Sequence, residues 1–151
     1  MPVFVNGNEI TDDQVHLEMQ YHPAASVEEA RHKSAVALTI KELLLQEAAN
    51  LSIFAPANCV DNTLIEEYLI NAILEQNIPE PEPQDQDCLS FYQKNQQLFM
   101  DSNGNCFSFE KMKEKIAEYL SDMIYQASCK HYICGLVKKA KIIGIELTDY
   151  P

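Results

Sequence analysis

Apolar residues recur every three or four positions along most of the chain, which is the spacing that places side chains on one face of an α-helix. The clearest such stripe predicts a helix over about residues 27–51, with the apolar positions Ala30, Val36, Ala37, Ile40, Leu43, Leu44, Ala48 and Leu51. Ser26 and Glu29 form the sequence pattern of a capping box at its start. The pattern therefore predicts an amphipathic helix with one buried side.

The same spacing predicts four further helices, over about 12–21, 62–76, 86–98 and 109–139. Thr11 and Gln14 form a capping box for the first of them, and Asp61 and Ser108 are suitable N-cap residues for the second and fourth. In the second we expect an apolar face of Leu64, Ile65, Tyr68, Leu69, Ala72 and Ile73, and in the third we expect Leu89, Tyr92 and Phe99 to face inward. The last helix would span on the order of 45 Å and is expected to organise the core.

The pattern changes to β-branched and alternating residues at the two ends of the chain. Residues 3–5 and 141–147 are predicted strands, and Asn6-Gly7 is a strong turn pair because both residues tolerate positive φ. Pairing the two strands would form a small two-stranded antiparallel ribbon beside the helices.

Two segments are predicted to interrupt the helices. Prolines at alternate positions make residues 78–83 a stiff, non-helical connector, and residues 101–105 form a cluster of turn-forming types. The prediction is thus a mainly α, five-helix bundle forming one domain over residues 1–151, a length that suits a single core.

The composition is that of a folded globular protein, with 46% hydrophobic and 23% charged residues. The formal net charge of −12 would repel phosphate groups, so neither nucleic acid nor an anionic membrane is an expected partner. No signal peptide and no apolar run of membrane-spanning length is visible. The five cysteines, odd in number and scattered, suit reduced thiols, so we expect a cytoplasmic location.

Residues 101–105 also match the beginning of a calcium loop, through Asp101, Asn103 and Asn105. An EF-hand loop needs Gly at its sixth position and Glu at its twelfth, where this chain has Cys106 and Met112. The interpretation is therefore an ordinary turn.

Cys129, His131 and Cys134 lie within six residues, but residues five apart on a helix point in different directions. They are interpreted as packing residues, so neither a metal nor a cofactor is expected. The chain also lacks a nucleophile elbow, a phosphate loop and a dinucleotide fingerprint.

An ordered set of segments resembles the N-terminal chaperone domain of SurA-like, parvulin-type peptidyl-prolyl isomerases. The segments are V-N-G-N-E-I-T at 5–11, the helix at 30–51 with E-L-L-L-Q-E-A, Y-Q-K-N-Q-Q-L-F at 92–99, and the closing stretch at 109–147. The closing stretch is similar to the branch that includes the nitrogenase accessory isomerase NifM. The resemblance covers nearly the whole chain and implies a SurA-type helical domain.

The chain departs from that family at one place. In the family a catalytic parvulin domain usually lies between the third and fourth of these segments, whereas here only residues 100–107 occupy that position. Neither an S-H-I-L strand nor a Gly-Gly-x-Leu-Gly segment is present. The resemblance therefore implies a module without isomerase activity, and a short turn in place of the insertion would leave the helical core closed.

The function implied by the resemblance is a chaperone-like or assembly module that binds non-native or extended segments of a client protein. Aromatic residues suit a cleft that accepts varied apolar peptides, because they supply large contact areas with few rotatable bonds. The candidate peptide-binding residues are Tyr68, Phe91, Tyr92, Phe99, Tyr119 and Tyr125. The alternative is an adaptor or oligomerisation domain for one folded partner, including a homodimer formed by swapping the C-terminal helix through the turn at 101–106.

Overall fold

The structure is a computed structural model that describes residues 1–147. Within these residues the elements are β1 (Val3–Val5), β2 (Asn8–Ile10), α1 (Asp12–Glu18), α2 (Val27–Asn50), α3 (Asn62–Asn77), α4 (Asp85–Lys94), α5 (Phe109–Lys139) and β3 (Ile142–Ile143). Single 3₁₀ turns follow α1 at Met19–Tyr21 and α4 at Gln96–Phe99. The predicted mainly helical class, with five helices and a small antiparallel sheet, is confirmed.

The starts of the helices follow the predicted capping residues. The Thr11 hydroxyl accepts a hydrogen bond from the Gln14 backbone N–H at 3.2 Å, and the Gln14 side chain accepts one from the Thr11 N–H at 2.8 Å. Ser26 accepts from the Glu29 N–H at 3.1 Å, but the Glu29 carboxylate accepts from the Ala25 N–H instead of the Ser26 N–H. In the second capping box, the hydrogen bond to the Glu29 side chain therefore comes from Ala25, the residue before the N-cap, and not from the N-cap Ser26.

The predicted two-stranded ribbon is wrong in the number of its strands, because the sheet has three, in the order β2-β1-β3. The predicted antiparallel pairing of the chain ends is present, with Phe4 opposite Ile143. Asn6 and Gly7 have φ values of 51° and 90°, which form a tight hairpin turn and bring residues 8–10 back along β1. The predicted strand at 141–147 is shorter, because Gly144 at φ 94° ends it after Ile143.

The described residues group into two compact units. We call residues 1–77 and 130–147 the terminal unit, and residues 78–129 the middle unit; α5 contributes its first 21 residues, 109–129, to the middle unit. The single domain over residues 1–151 stays a prediction.

The core of the terminal unit has two parts. The first packs the sheet against α1, α2 and the end of α5, with the buried residues Val3, Val5, Ile10, Val15, Ala35 and Leu43. The second packs α2, α3 and α5 together around Leu44, Ile73 and Ile133. The long helix therefore helps to form this core, as its predicted length suggested, through its last ten residues.

The buried face of α2 differs from the predicted stripe. Ser34 and Thr39 are fully buried, while Leu51, a predicted apolar position, is exposed. The Ser34 hydroxyl donates to the Ala30 carbonyl and the Thr39 hydroxyl to the Ala35 carbonyl, each at 2.7 Å. Since these hydroxyls satisfy their hydrogen bonds within their own helix, burying them costs little.

The predicted inward faces of α3 and α4 also need correction. On α3 the buried residue is Ile73, whereas Leu64 and Tyr68 are exposed. On α4 Cys88 is buried and Leu89 is exposed, because consecutive helical residues point about 100° apart. The core of the middle unit consists of Cys88, Phe99 and Ile116, with the partly buried neighbours Phe91, Tyr92, Phe109, Met112, Ala117 and Leu120.

Candidate functional site

The middle unit carries an open groove between α4, the 3₁₀ turn that follows it and α5, with a cavity volume of about 240 Å³. Its lining residues are Phe91, Leu98, Phe99, Lys115, Ile116 and Tyr119. We call this site the aromatic groove.

Asn95 determines where α4 ends and therefore where the groove begins. Its backbone N–H donates to the Phe91 carbonyl at 3.1 Å, and its side-chain amide donates to the same oxygen at 2.9 Å. Its own carbonyl then accepts from the Leu98 N–H at 2.9 Å. These bonds turn the chain into the 3₁₀ segment that places Leu98 and Phe99 beside Phe91.

The turn at 101–105 connects this segment to α5. The Asp101 carboxylate accepts from the backbone N–H groups of Asn103 and Asn105, both at 2.9 Å, which is the geometry of a side-chain-stabilised turn. The Phe107 N–H donates to the Phe99 carbonyl at 2.8 Å and closes the loop. Within residues 1–147, no group of three His, Cys, Asp or Glu side chains is arranged to hold a metal ion.

The aromatic side chains of the middle unit contact one another in a chain. The ring centroid of Phe91 lies 6.2 Å from that of Phe99, at an interplanar angle of 76°, and 5.3 Å from that of Tyr119. Tyr92 contacts Phe99 at 5.1 Å and Phe109 at 5.6 Å. Edge-to-face and tilted pairs of this kind are favourable, so the wall of the groove is held in place by aromatic packing.

Tyr92 supports this wall from behind and does not line the groove. Its hydroxyl donates to the Phe107 carbonyl at 2.7 Å and lies 3.4 Å from the Cys106 sulfur. The hydrogen bond with Cys106, followed by partial desolvation, raises the pKa of Tyr92. The phenol is therefore neutral at physiological pH and serves to join α4 to the segment before α5.

The floor and the rim of the groove differ in exposure. Phe99 and Ile116 at the floor are buried, whereas Leu98 and Tyr119 at the rim are 64% and 51% exposed. Lys115 is exposed and forms no ion pair among the described residues. Lys113 two residues earlier is 3.0 Å from the Asp85 carboxylate, an ion pair that raises the pKa of Lys113.

The groove can therefore accept an apolar side chain and place one cation beside it. None of its lining residues is a Ser, Cys, His, Asp or Glu, so the lining itself offers no nucleophile paired with a base.

The structure brings together some of the six candidate residues and separates others. Phe91, Phe99 and Tyr119 line the groove and Tyr92 packs behind it. Tyr68 lies on α3 in the terminal unit, and Tyr125 lies farther along α5 and does not line the groove.

Sequence reasoning missed three lining residues. Ile116 was recognisable as part of the apolar stripe of the last helix, and Leu98 as the apolar neighbour of Phe99. The sequence carried no signal for Lys115, since its place at the rim depends on how α5 packs against the 3₁₀ turn.

The chain matches no family model, no curated protein and no solved structure. None of the helices in residues 1–147 combines the length and hydrophobicity required to cross a membrane.

Proposed function

We propose that this chain is a non-catalytic, chaperone-like module of SurA type that holds extended or non-native segments of other proteins at the aromatic groove. The observation that carries the proposal is an apolar groove whose rim residues, Leu98 and Tyr119, remain more than half exposed. Exposed apolar side chains bordering a groove are typical of a surface that binds a partner.

The groove suits one apolar side chain of an extended segment at a time. Burying a Leu- or Phe-sized side chain contributes about 1.5–3 kcal/mol, before the entropic cost of ordering the peptide. A single contact of this size gives weak, rapidly reversible binding, which suits a module that must hold a client briefly and release it.

The chemistry of the groove favours binding over catalysis. Lys115 and the Tyr119 phenol are the ionisable lining groups, and the lining contains no carboxylate, imidazole or thiol. The five cysteines are free thiols, which fits a reducing compartment, and we propose a cytoplasmic location on that ground.

The test is suppression of aggregation of a chemically unfolded model client, with parallel measurement of peptide binding by fluorescence anisotropy. Leu98→Ser and Tyr119→Ser each remove an exposed apolar rim residue, so the fold should be retained. We expect each to weaken peptide binding by about 1–2 kcal/mol, which is roughly 5- to 30-fold.

Val60→Ser is the matched control. Val60 is 88% exposed but lies in the terminal unit, outside the groove lining. The Val60→Ser variant should bind peptide and suppress client aggregation as well as the unsubstituted protein does. If the original chain neither binds peptide nor delays aggregation at several-fold molar excess, the proposal is refuted; if all three variants lose binding equally, the groove is not the site.

A second candidate function is an adaptor for one folded partner. The observation that favours it is a pair of exposed apolar residues, Met123 and Ile124, on α5 beyond the groove. A folded partner would be captured at a fixed stoichiometry, whereas unfolded clients would not. Light scattering of the purified chain, alone and with a captured partner, separates the two functions.

A further inference from the structure

A second groove lies in the terminal unit, between the end of α5 and the chain from β3 onward. Its cavity volume is about 430 Å³. The apolar part of its lining comprises Val137, Ala140, Ile142, Ile145 and Leu147. Val137 and Ile142 also pack against the first part of the core of the terminal unit, so the floor of the groove is continuous with that core.

Positive charge is concentrated beside this groove. Residues 130–147, which include the whole lining, contain four of the chain's eleven Lys and Arg residues and one acid, Glu146, in a chain whose net charge is −12. The four are Lys130, Lys138, Lys139 and Lys141, and all are exposed. Such a segment attracts anionic groups that the rest of the surface repels.

The lysines are available to a ligand. Lys138 lines the groove, and none of the four side chains forms an ion pair among the described residues. Lys130 is eight positions before Lys138, so it lies about 12 Å away along α5 and projects about 80° around the helix from it. Lys138 and Lys139 also lie where the helix dipole favours cations, but Lys130, two turns earlier, does not.

The sheet provides an edge next to the same groove. β3 is one of the two edge strands in the order β2-β1-β3, and Ile142 of this strand lines the groove while Ile143 is exposed. An edge strand leaves backbone groups that an extended segment can pair with.

We propose that this lysine-bordered groove binds a short, extended, acidic segment of a partner protein in which aliphatic residues alternate with Asp or Glu. In an extended segment alternate side chains point to opposite sides, so the aliphatic ones enter the groove while the carboxylates stay on its open side, where exposed lysine side chains, first among them Lys138 of the lining, attract them. The apolar floor favours such a peptide over nucleic acid, which would present phosphates to it. The site shares no lining residue with the aromatic groove and takes a charged ligand.

The experiment measures binding of a short fluorescein-labelled peptide of alternating leucine and glutamate, by anisotropy on the full chain. The comparison peptide has glutamine at every glutamate position. We expect the acidic peptide to bind more tightly than the glutamine peptide, and its affinity to fall as salt is added.

Lys138→Glu should weaken binding of the acidic peptide roughly two- to tenfold, because it removes an attractive pair and adds a repulsive one. Lys111→Glu is the matched control: it makes the same change in net charge at an exposed lysine of the middle unit, and should weaken binding less than about twofold. Circular dichroism checks folding, and Lys138→Gln replaces Lys138→Glu if the latter fails to fold.

The outcomes separate this site from the aromatic groove. Retention of acidic-peptide binding in Tyr119→Ser, with loss in Lys138→Glu, supports the proposal even if client protection is absent. Equal loss in Lys138→Glu and Lys111→Glu, or equal affinity for both peptides, overturns it. Binding of decanoate with no binding of the acidic peptide also overturns it, since a fatty acid would then be the occupant.

Discussion

Replacement of Gly144 by alanine tests the close packing of the chain ends in the sheet. Gly144 follows β3 with φ +94°, and a Cβ built there would lie 2.6 Å from the Pro2 carbonyl oxygen and 3.3 Å from the Val3 Cα. Contacts under 3 Å with backbone atoms cannot be relieved by rotating a side chain, so β1 and β3 would have to separate.

The cost has two parts. A non-glycine residue at positive φ costs on the order of 1–2 kcal/mol. Separating the strands also weakens the bonds that join them, among them the 2.8 Å bond from the Asn6 N–H to the Lys141 carbonyl and the 2.8 Å bond from the Lys141 N–H to the Asn6 side chain. Loss of both bonds, at about 1 kcal/mol each, brings the total to roughly 3–4 kcal/mol.

Gly7→Ala is the matched control. Gly7 has nearly the same φ, +90°, and belongs to the same sheet, but a Cβ there meets no atom within 4 Å. The entropic effect of replacing glycine in the unfolded chain is common to both variants and cancels in their difference. Gly7→Ala should therefore cost about 1–2 kcal/mol from its backbone conformation alone.

The assay is urea denaturation of both variants, followed by far-ultraviolet circular dichroism. We expect the free energy of unfolding of Gly144→Ala to be lower than that of Gly7→Ala by at least about 1 kcal/mol. If the two agree within about 0.5 kcal/mol, the ends of the chain do not approach each other as described, and the reasoning fails.

Three other predictions concern single side chains of the terminal unit. The Tyr132 hydroxyl is buried without a hydrogen-bond partner, and burial is the main cause that raises the pKa of Tyr132. Tyr132→Phe should therefore leave the free energy of unfolding unchanged or raise it by up to about 1 kcal/mol. A decrease of about 1 kcal/mol in urea denaturation would show that the hydroxyl has a hydrogen-bond partner. Ile73→Ala removes a fully buried side chain and should lower the free energy of unfolding by about 2–5 kcal/mol, whereas a cost below about 1 kcal/mol would mean that Ile73 is not in a packed core. The hydrogen bond from Lys33 lowers the pKa of Glu29 in the folded chain. The stability that this bond contributes is therefore present above the pKa that Glu29 has in the unfolded chain, and it is lost as the pH falls through the pKa of Glu29 in the folded chain. Lys33→Met should raise the Glu29 pKa in an NMR titration, and an unchanged pKa would contradict the pairing.

Much of the helical architecture could be predicted from the sequence because its determinants are local. The bounds predicted for the last helix, 109–139, agree with α5, and Thr11 and Asp61 cap the helices that they were predicted to cap. The pairing of the two chain ends was also predictable, since residues 3–5 and 141–147 were the only β-prone segments that could satisfy each other.

The candidate site was only partly predictable. Aromatic residues were expected to line a binding cleft, and three of the six candidates do line the groove: Phe91, Phe99 and Tyr119. Nothing in the sequence distinguished these three from Tyr68, which lies in the terminal unit. The selection depends on Asn95, whose two bonds to one carbonyl end α4 and turn the chain.

What the sequence determined by itself is therefore the set of helices, their starts and the strand pairing of the ends, because capping bonds and apolar periodicity act over a few residues. The third strand at residues 8–10 follows from the local Asn6-Gly7 hairpin turn, although it was not predicted. Only the tertiary structure decided that Ser34 and Thr39 lie in the core and which residues border the two grooves. Those outcomes depend on contacts between residues far apart in the chain, whose free energies are set by packing partners that a local pattern does not specify.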